Sequence, residues 1–191
     1  MALLIIGLLL FLGIHSISIF ALDFRDKQAA KNHLGWKAGY SIIALLGFFL
    51  IVQGYAQARL DPTLLYVTPS WLKHVSALLM MPIFILFLAP YFPGKISAVT
   101  KHPQLIAVKL WAVSHLLVNG MLAGVILFGA FLIWAVVDRI SMKRRSARPV
   151  HALPRSMIND VIIVVLGFSF YGVFVLYLHQ RLIGIAPFVT S

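Results

Sequence analysis

Two histidines occupy apolar stretches of the chain, where an ionisable side chain is costly. His15 lies in the stretch from residue 2 to 22, and His115 lies in the stretch from residue 105 to 137. Ionisable residues within membrane-spanning helices are rare and frequently mark functional sites. Helical rise places His15 about 10 Å and His115 about 17 Å from the cytoplasmic ends of their helices. Modest tilting of the helices would therefore bring the two imidazoles to the same depth.

Neutral imidazoles on two different helices can bind opposite faces of one haem iron. This chemistry makes His15 and His115 candidate metal ligands, as the axial pair of a haem. The alternative is structural, with each histidine bonding a carbonyl or hydroxyl group across a helix interface. The spacing of the residues leaves both interpretations open.

The residues around His115 extend the candidate cofactor site. Trp111, His115 and Asn119 follow an i, i+4, i+8 spacing and share one helix face. Trp111 is thereby placed to pack on a macrocycle, and Asn119 is placed to orient a bound ligand. The structural alternatives are an interfacial tryptophan and a helix-ending asparagine. His102 precedes a proline at the start of the same helix, where it is expected to contact a haem propionate or a lipid headgroup.

The sequence lacks the residues that several other kinds of active site require. It contains no cysteine, which excludes disulfides, thiolate-bound metals and cysteine nucleophiles. It contains no nucleotide-binding glycine loop, His-Glu-x-x-His zinc motif or nucleophile elbow. Its acidic residues fall in expected loops or at the edges of apolar stretches, which disfavours carboxylate-based proton or cation transport.

The composition is that of an integral membrane protein. Of the 191 residues, 61% are hydrophobic and only 11% are charged, unlike a soluble globular domain. We predict an all-α, polytopic bundle of about six transmembrane helices, forming a single domain over residues 1–191. The expected spans are residues 2–22, 38–55, 71–91, 105–118, 121–137 and 158–178.

The apolar stretch 105–137 is too long for one ordinary span. As a single helix it would extend about 50 Å, whereas the hydrocarbon core of a bilayer is about 30 Å thick. Asn119–Gly120 near its middle is a turn-compatible dipeptide, so a short helical hairpin is expected. A single tilted helix, giving five crossings instead of six, is the alternative.

Basic residues between the apolar stretches predict the orientation. Loops 23–37 and 138–157 are rich in lysine and arginine, which predicts that both are cytoplasmic and that both termini lie outside. Six crossings put these loops on the same side of the membrane, whereas five would separate them. The net charge of +11 resides in such loops, so we expect the lipid bilayer of a bacterial inner membrane as a partner and no nucleic acid.

Several different short motifs are distributed along nearly the whole chain. The most specific are Lys101-His102-Pro103, followed by Lys109-Leu110-Trp111-Ala112 and then by His115. The others are residues 7–15, 39–41, 71–74, 78–82, 116–117, 119–120, 127–129, 138–140 and 143–145. In these motifs the chain closely resembles the NnrU family of bacterial membrane proteins.

The resemblance carries expectations about function. The NnrU name is linked in denitrifying bacteria with nitric oxide and nitrite reduction. The same domain forms the 15-cis-zeta-carotene isomerase of plants and cyanobacteria, a membrane haem b enzyme that converts a cis double bond to trans. The resemblance implies that His15 and His115 bind haem b and that His102 matches the histidine of that enzyme's Arg-His-Pro motif. Lys101 replaces the arginine, and the isomerase's own loop sequences have no counterpart here.

We therefore expect a haem b-binding protein of nitrogen-oxide metabolism, or a haem-dependent cis-trans isomerase acting on a hydrophobic small molecule. A second hypothesis is a non-enzymatic accessory factor that helps a membrane reductase to assemble and contacts it through the basic segment 141–155. A third is an enzyme similar to the isoprenylcysteine carboxyl methyltransferases, which share His-Pro before a helical hairpin. Gln104 replaces their aromatic residue after that motif, and their C-terminal cofactor-binding segment is not recognisable.

Overall fold

The computed structural model describes residues 1–145, 150 and 152–187 of the chain. In this part of the chain the secondary structure is α-helical, and the only β-type pairing is one antiparallel bridge between Leu64 and Met121. The all-α prediction is confirmed. In chain order the helices are α1 (Ala2–Phe20), α2 (Leu22–Lys31), α3 (His33–Ala58), α4 (Leu72–Met80), α5 (Ile83–Leu88), α6 (Lys95–Thr100), α7 (Pro103–Val118), α8 (Leu122–Ser141), α9 (Ile158–Val173) and α10 (His179–Ile183). A π-helical segment, Phe174–Leu178, joins the last two.

The helices form two compact units. The first unit comprises Met1–Thr68 and Asn119–Arg145, and therefore contains α1, α2, α3 and α8. The second comprises Pro69–Val118 and the described part of Ser146–Ser191, with the remaining helices. The single domain over residues 1–191 stays a prediction.

Four continuous helices among the described residues are long and apolar enough to cross a membrane. They are Ala2–Phe20, His33–Ala58, Leu122–Ser141 and Ile158–Ile183. The predicted spans 71–91 and 105–118 correspond to shorter apolar segments, Leu72–Leu88 and Pro103–Val118. The predicted break near Asn119–Gly120 is confirmed, because α7 ends at Val118 and α8 begins at Leu122.

The predicted span 71–91 contains two short helices, which together form the apolar segment Leu72–Leu88. α4 ends at Met80 and α5 begins at Ile83, with Met81 and Pro82 between them. Proline has no amide N–H to continue the hydrogen-bond ladder, and its ring crowds the preceding turn. The apolar composition of this stretch concealed the break.

The prediction that residues 23–37 form a loop is also wrong, because α2 and the start of α3 occupy this segment. α2 contains no glycine or proline and includes good helix formers such as alanine, glutamine and lysine. Asn32 separates the two helices, and its side-chain oxygen accepts a hydrogen bond of 2.8 Å from the Gly35 amide at the start of α3. Similarly, the helix expected to end at residue 178 continues through the π-helical segment to Ile183.

Glycines allow the backbones of α1 and α3 to approach closely in the first unit. A Cβ atom on Gly7 would lie 2.6 Å from the Ile51 nitrogen, and one on Gly54 would overlap the backbone of Leu4. Small residues at helix interfaces are typical of membrane proteins, where van der Waals packing replaces much of the hydrophobic driving force. The position of α1, and with it of His15, therefore depends on these glycines.

The α7–α8 break is held by the segment after α3. The amides of Leu65 and Tyr66 both donate to the Gly120 carbonyl, at 2.8 and 3.3 Å, and the Leu122 amide donates to the Thr63 carbonyl at 2.8 Å. A Cβ atom on Gly120 would overlap the Tyr66 carbonyl. Desolvation raises the pKa of the Tyr66 phenol, which favours its hydroxyl form.

The second unit has two small apolar clusters. Ile83 and Leu86 of α5 pack with Ala107 of α7, and Ile85 packs with Ala89 and Ile163 of α9. The Asp160 carboxylate accepts hydrogen bonds from the amides of Lys95 at 2.8 Å and Ile96 at 3.1 Å, which caps α6. The packing of Ala107 against α5 positions α7, the helix that carries His115.

Replacing Gly54 by alanine is expected to destabilise the first unit. The new methyl group has no room against the Leu4 backbone, and overpacking of this kind costs about 1–3 kcal/mol. Gly39 lies on the same helix, and a Cβ atom there would have no neighbouring atom within 4 Å, so Gly39→Ala is the matched control. We expect a lower thermal unfolding midpoint in detergent for Gly54→Ala and an unchanged or slightly higher one for the control. Equal midpoints for the two variants would contradict the close approach.

Candidate functional site

His15 is held on α1 by a hydrogen bond within its own helix. Its Nδ1 lies 2.6 Å from the Phe11 carbonyl oxygen. A carbonyl can only accept a hydrogen bond, so Nδ1 carries the proton and Nε2 carries the lone pair. Nε2 is therefore the nitrogen that can bind a metal. The carbonyl partner expected in the structural alternative is present, although it belongs to the same helix.

Aromatic rings surround the His15 imidazole. The Phe11 ring stacks on it with centroids 4.3 Å apart, and the Tyr40 and Trp134 rings meet it edge-on at 5.2 and 6.0 Å. The indole nitrogen of Trp134 is buried and has no hydrogen-bond partner among the residues that the structure describes. The first unit thus places one imidazole lone pair and one unsatisfied N–H donor in an aromatic environment.

His115 repeats the arrangement on α7. Its Nδ1 lies 2.8 Å from the Trp111 carbonyl oxygen, so it too has the proton on Nδ1 and the lone pair on Nε2. The Trp111 and His115 rings lie 5.4 Å apart, as expected for residues one turn apart on a helix face. The structure therefore brings these two predicted site residues together.

Asn119 lies just beyond the end of α7, in the first unit. Its side-chain amide donates to the Tyr55 hydroxyl at 2.8 Å, and its Oδ1 accepts from the Met121 amide at 3.2 Å. Its backbone carbonyl accepts from the Tyr66 hydroxyl at 3.1 Å. These bonds match the alternative of a helix-ending asparagine, and the ligand-orienting role of Asn119 stays a prediction.

His102 lies in a bend directly before α7. Lys101 adopts a φ of 55°, which is uncommon for a residue with a side chain, and the His102 carbonyl accepts a hydrogen bond of 3.2 Å from the Ile106 amide. The motif thus bends the chain directly before the helix that carries His115. The contact of His102 with a propionate or headgroup stays a prediction.

The two proposed axial ligands belong to different units, His15 to the first and His115 to the second. Their pairing on one iron stays a prediction. In each imidazole the carbonyl bond at Nδ1 leaves Nε2 as the nitrogen that could bind a haem iron. Within the described ranges no group of three or more His, Cys, Asp or Glu side chains is placed to hold a bare metal ion.

The sequence did not predict the ion pair between Asp138 and Arg145 in the first unit. The charge pattern predicts that Asp138 opens the loop 138–157, but it lies in the last turn of α8, where it is buried and forms an ion pair with Arg145. Arg145 also donates to the Ser18 carbonyl of α1 at 3.0 Å. Residues 146–149 and 151 of the predicted loop lie outside the described residues. The only sequence signal was a carboxylate at the end of an apolar stretch, seven residues before an arginine.

Replacing Arg145 by alanine is expected to destabilise the first unit strongly. Removal of one partner leaves the buried Asp138 carboxylate without a counter-charge, at a cost of about 3–5 kcal/mol. Arg144 is exposed, and Arg144→Ala should change stability by less than about 0.5 kcal/mol. Unfolding midpoints measured in detergent would test this difference. Equal effects of the two substitutions would show that the ion pair does not fix the end of α8.

Comparison with known families gives one match across both units. A family model described as NnrU protein matches residues 3–187, which include His15, His102 and His115. Comparisons with curated proteins and with solved structures give no match. Because the family model covers nearly the whole chain, the chain belongs to the NnrU protein family.

Proposed function

We propose that this NnrU protein resides in the bacterial inner membrane and binds haem b through the imidazoles of His15 and His115. The observation that carries the proposal is their common hydrogen-bond state. Each ring donates Nδ1–H to the carbonyl four residues earlier and keeps Nε2 as the lone-pair nitrogen. Histidines that bind metals are typically oriented by such a bond from the other ring nitrogen.

The surroundings of the two imidazoles also suit a porphyrin. Phe11, Tyr40 and Trp134 surround His15, and Trp111 lies beside His115. Ligand sites are typically lined by apolar and aromatic side chains with a few polar groups that set orientation. The buried indole N–H of Trp134 is a donor of this kind.

We place the protein in nitrogen-oxide metabolism, with haem-dependent cis-trans isomerisation of a hydrophobic substrate as the related enzymatic role. Bound haem supplies an iron centre for nitric oxide binding or for acting on a polyene double bond. The chain's own residues hold the ring nitrogens in position through the carbonyls of Phe11 and Trp111. The predicted cytoplasmic side carries residues 23–37 and 138–157, and the bilayer is the solvent of the long apolar helices.

A second candidate function is an accessory factor for a membrane reductase. The observation that favours it is the anchoring of Arg145 by Asp138 and Ser18, which fixes the start of the basic segment 141–155 at the end of α8. Lys143 and Arg144, which directly precede Arg145, are exposed. A rigidly held start with exposed cations suits an acidic protein surface.

Substitution of the two ligands should remove the haem. We expect protein purified in mild detergent from haem-supplemented cells to show b-type absorption spectra in its oxidised and reduced states. His15→Ala and His115→Ala should each lower the haem content, because each removes one Nε2 donor. His33 and His74 are exposed histidines, so His33→Ala and His74→Ala are the matched controls and should retain the haem.

Haem content that is unchanged in both ligand variants would contradict the assignment of His15 and His115. A colourless, folded wild-type protein would contradict haem binding altogether and favour the accessory function. That function predicts copurification of a reductase and loss of this partner on reversing the charge of Lys143 and Arg144.

A further inference from the structure

A third histidine lies close to His115 within the second unit. The ring of His179, the first residue of α10, lies 6.5 Å from the His115 ring between centroids, and the two ring planes differ by only 16°. Imidazoles that bind one ion from opposite sides, with metal–nitrogen bonds of about 2 Å, have ring centres about 6 Å apart. The observed separation is close to that of two rings sharing one metal ion.

The hydrogen bonds of both rings leave the same nitrogen, Nε2, for a metal ion. The Nδ1 of His179 lies 2.7 Å from the Ile185 carbonyl oxygen, as the Nδ1 of His115 lies 2.8 Å from that of Trp111. Each carbonyl accepts from Nδ1–H, so each Nε2 carries the lone pair. Carbonyl partners of this kind fix the orientation of histidine ligands in metal sites.

Irregular backbone fixes the position of His179. The π-helical segment Phe174–Leu178 ends directly before it, and such segments occur frequently at functional sites. After α10, Gly184 adopts a φ of 79°, which glycine tolerates, and turns the chain so that the Ile185 carbonyl reaches the imidazole. The Phe174 ring also meets the His179 ring edge-on at 5.7 Å.

Simple ring packing is the competing explanation. Packed ring pairs in proteins commonly have centroids about 4.5–7 Å apart. Packing alone, however, does not depend on which ring nitrogen carries the proton. A metal ion requires an unprotonated nitrogen on each ring, and the carbonyl bonds at Nδ1 leave Nε2 of both rings for this role.

We propose that His115 and His179 bind one first-row transition-metal ion of the copper and zinc class, for which imidazole nitrogen is a suitable ligand. One imidazole nitrogen from each histidine would bind the ion. This site goes beyond the proposed function and does not require haem. Because His115 is common to both, haem and the metal ion compete for it.

Copper binding to haem-free protein tests the site. We expect wild-type protein in detergent to bind a Cu²⁺ ion whose electron paramagnetic resonance spectrum shows coupling to imidazole nitrogen. His115→Ala and His179→Ala should weaken this binding at least about tenfold, since loss of even an outer-sphere partner costs a metal site that much. His33→Ala and His74→Ala should leave it unchanged.

His179→Phe separates metal binding from packing. Phenylalanine keeps a ring beside Phe174 and His115, so the fold should survive, but it offers no nitrogen. Loss of the bound Cu²⁺ in this folded variant is the expected result. Retention of the wild-type affinity in His179→Phe, or no binding beyond that of a His115→Ala/His179→Phe protein, would overturn the site.

Loading with haem distinguishes this proposal from the proposed function. Haem-loaded protein should bind less Cu²⁺ at this site, because His115 is occupied. A protein that binds Cu²⁺ through His179 but never binds haem would overturn only the proposed function. A haem protein in which His179 has no effect on Cu²⁺ binding would overturn only the metal-ion site.

Discussion

A helix that crosses hydrocarbon must satisfy its polar groups within the protein, since lipid tails offer no hydrogen-bond partners. The apolar helices of this chain place two imidazoles and a carboxylate under that constraint. His15 and His115 each meet it by donating to a carbonyl of their own helix. Asp138 meets it by pairing with Arg145, which also binds the Ser18 carbonyl. The bonds that satisfy the Nδ1 groups also place the lone pair of both histidines on Nε2.

The constraint also governs helix packing. Between apolar helices in lipid, close contact and hydrogen bonding supply the attraction that water supplies elsewhere. Gly7 and Gly54 let α1 and α3 meet at backbone distance, which fixes the helix that carries His15. At the α7–α8 break, amides of the segment after α3 bond to Gly120, and the Asn119 side chain bonds to Tyr55. The position of His15 in the first unit therefore follows from the close approach of α1 and α3.

The sequence predicted the features that composition and single residues control. The apolar stretches identified the helical fold, and Asn119–Gly120 correctly marked the break between α7 and α8. Apolar composition, however, does not reveal interruptions. It missed the break at Pro82, and it set the end of the last helix too early because nothing in the composition signals a π-helical segment. Residues 23–37 were expected to form a loop because of their charge, although α2 contains good helix formers.

The candidate site was predictable only in part, because a sequence shows residue types and spacing but not local conformation. The sequence identified His15 and His115 as candidate ligands because they are histidines in apolar stretches. Helical spacing also placed Trp111 beside His115. The proton position on each ring depends on local side-chain conformation, which the sequence does not specify. His179 was invisible as a neighbour of His115 because the two are far apart in the chain and an irregular segment sets the direction of one of them.

We propose that the imidazoles of His15 and His115 bind the iron of a haem in this protein. Low-temperature electron paramagnetic resonance of the oxidised, purified protein tests it most directly, because the spin state of ferric haem reports its axial ligands. Coordination by His15 and His115 predicts a low-spin ferric signal that becomes high-spin in His15→Ala protein. A high-spin signal in the wild type, or a low-spin signal that survives loss of both histidines, would contradict the claim.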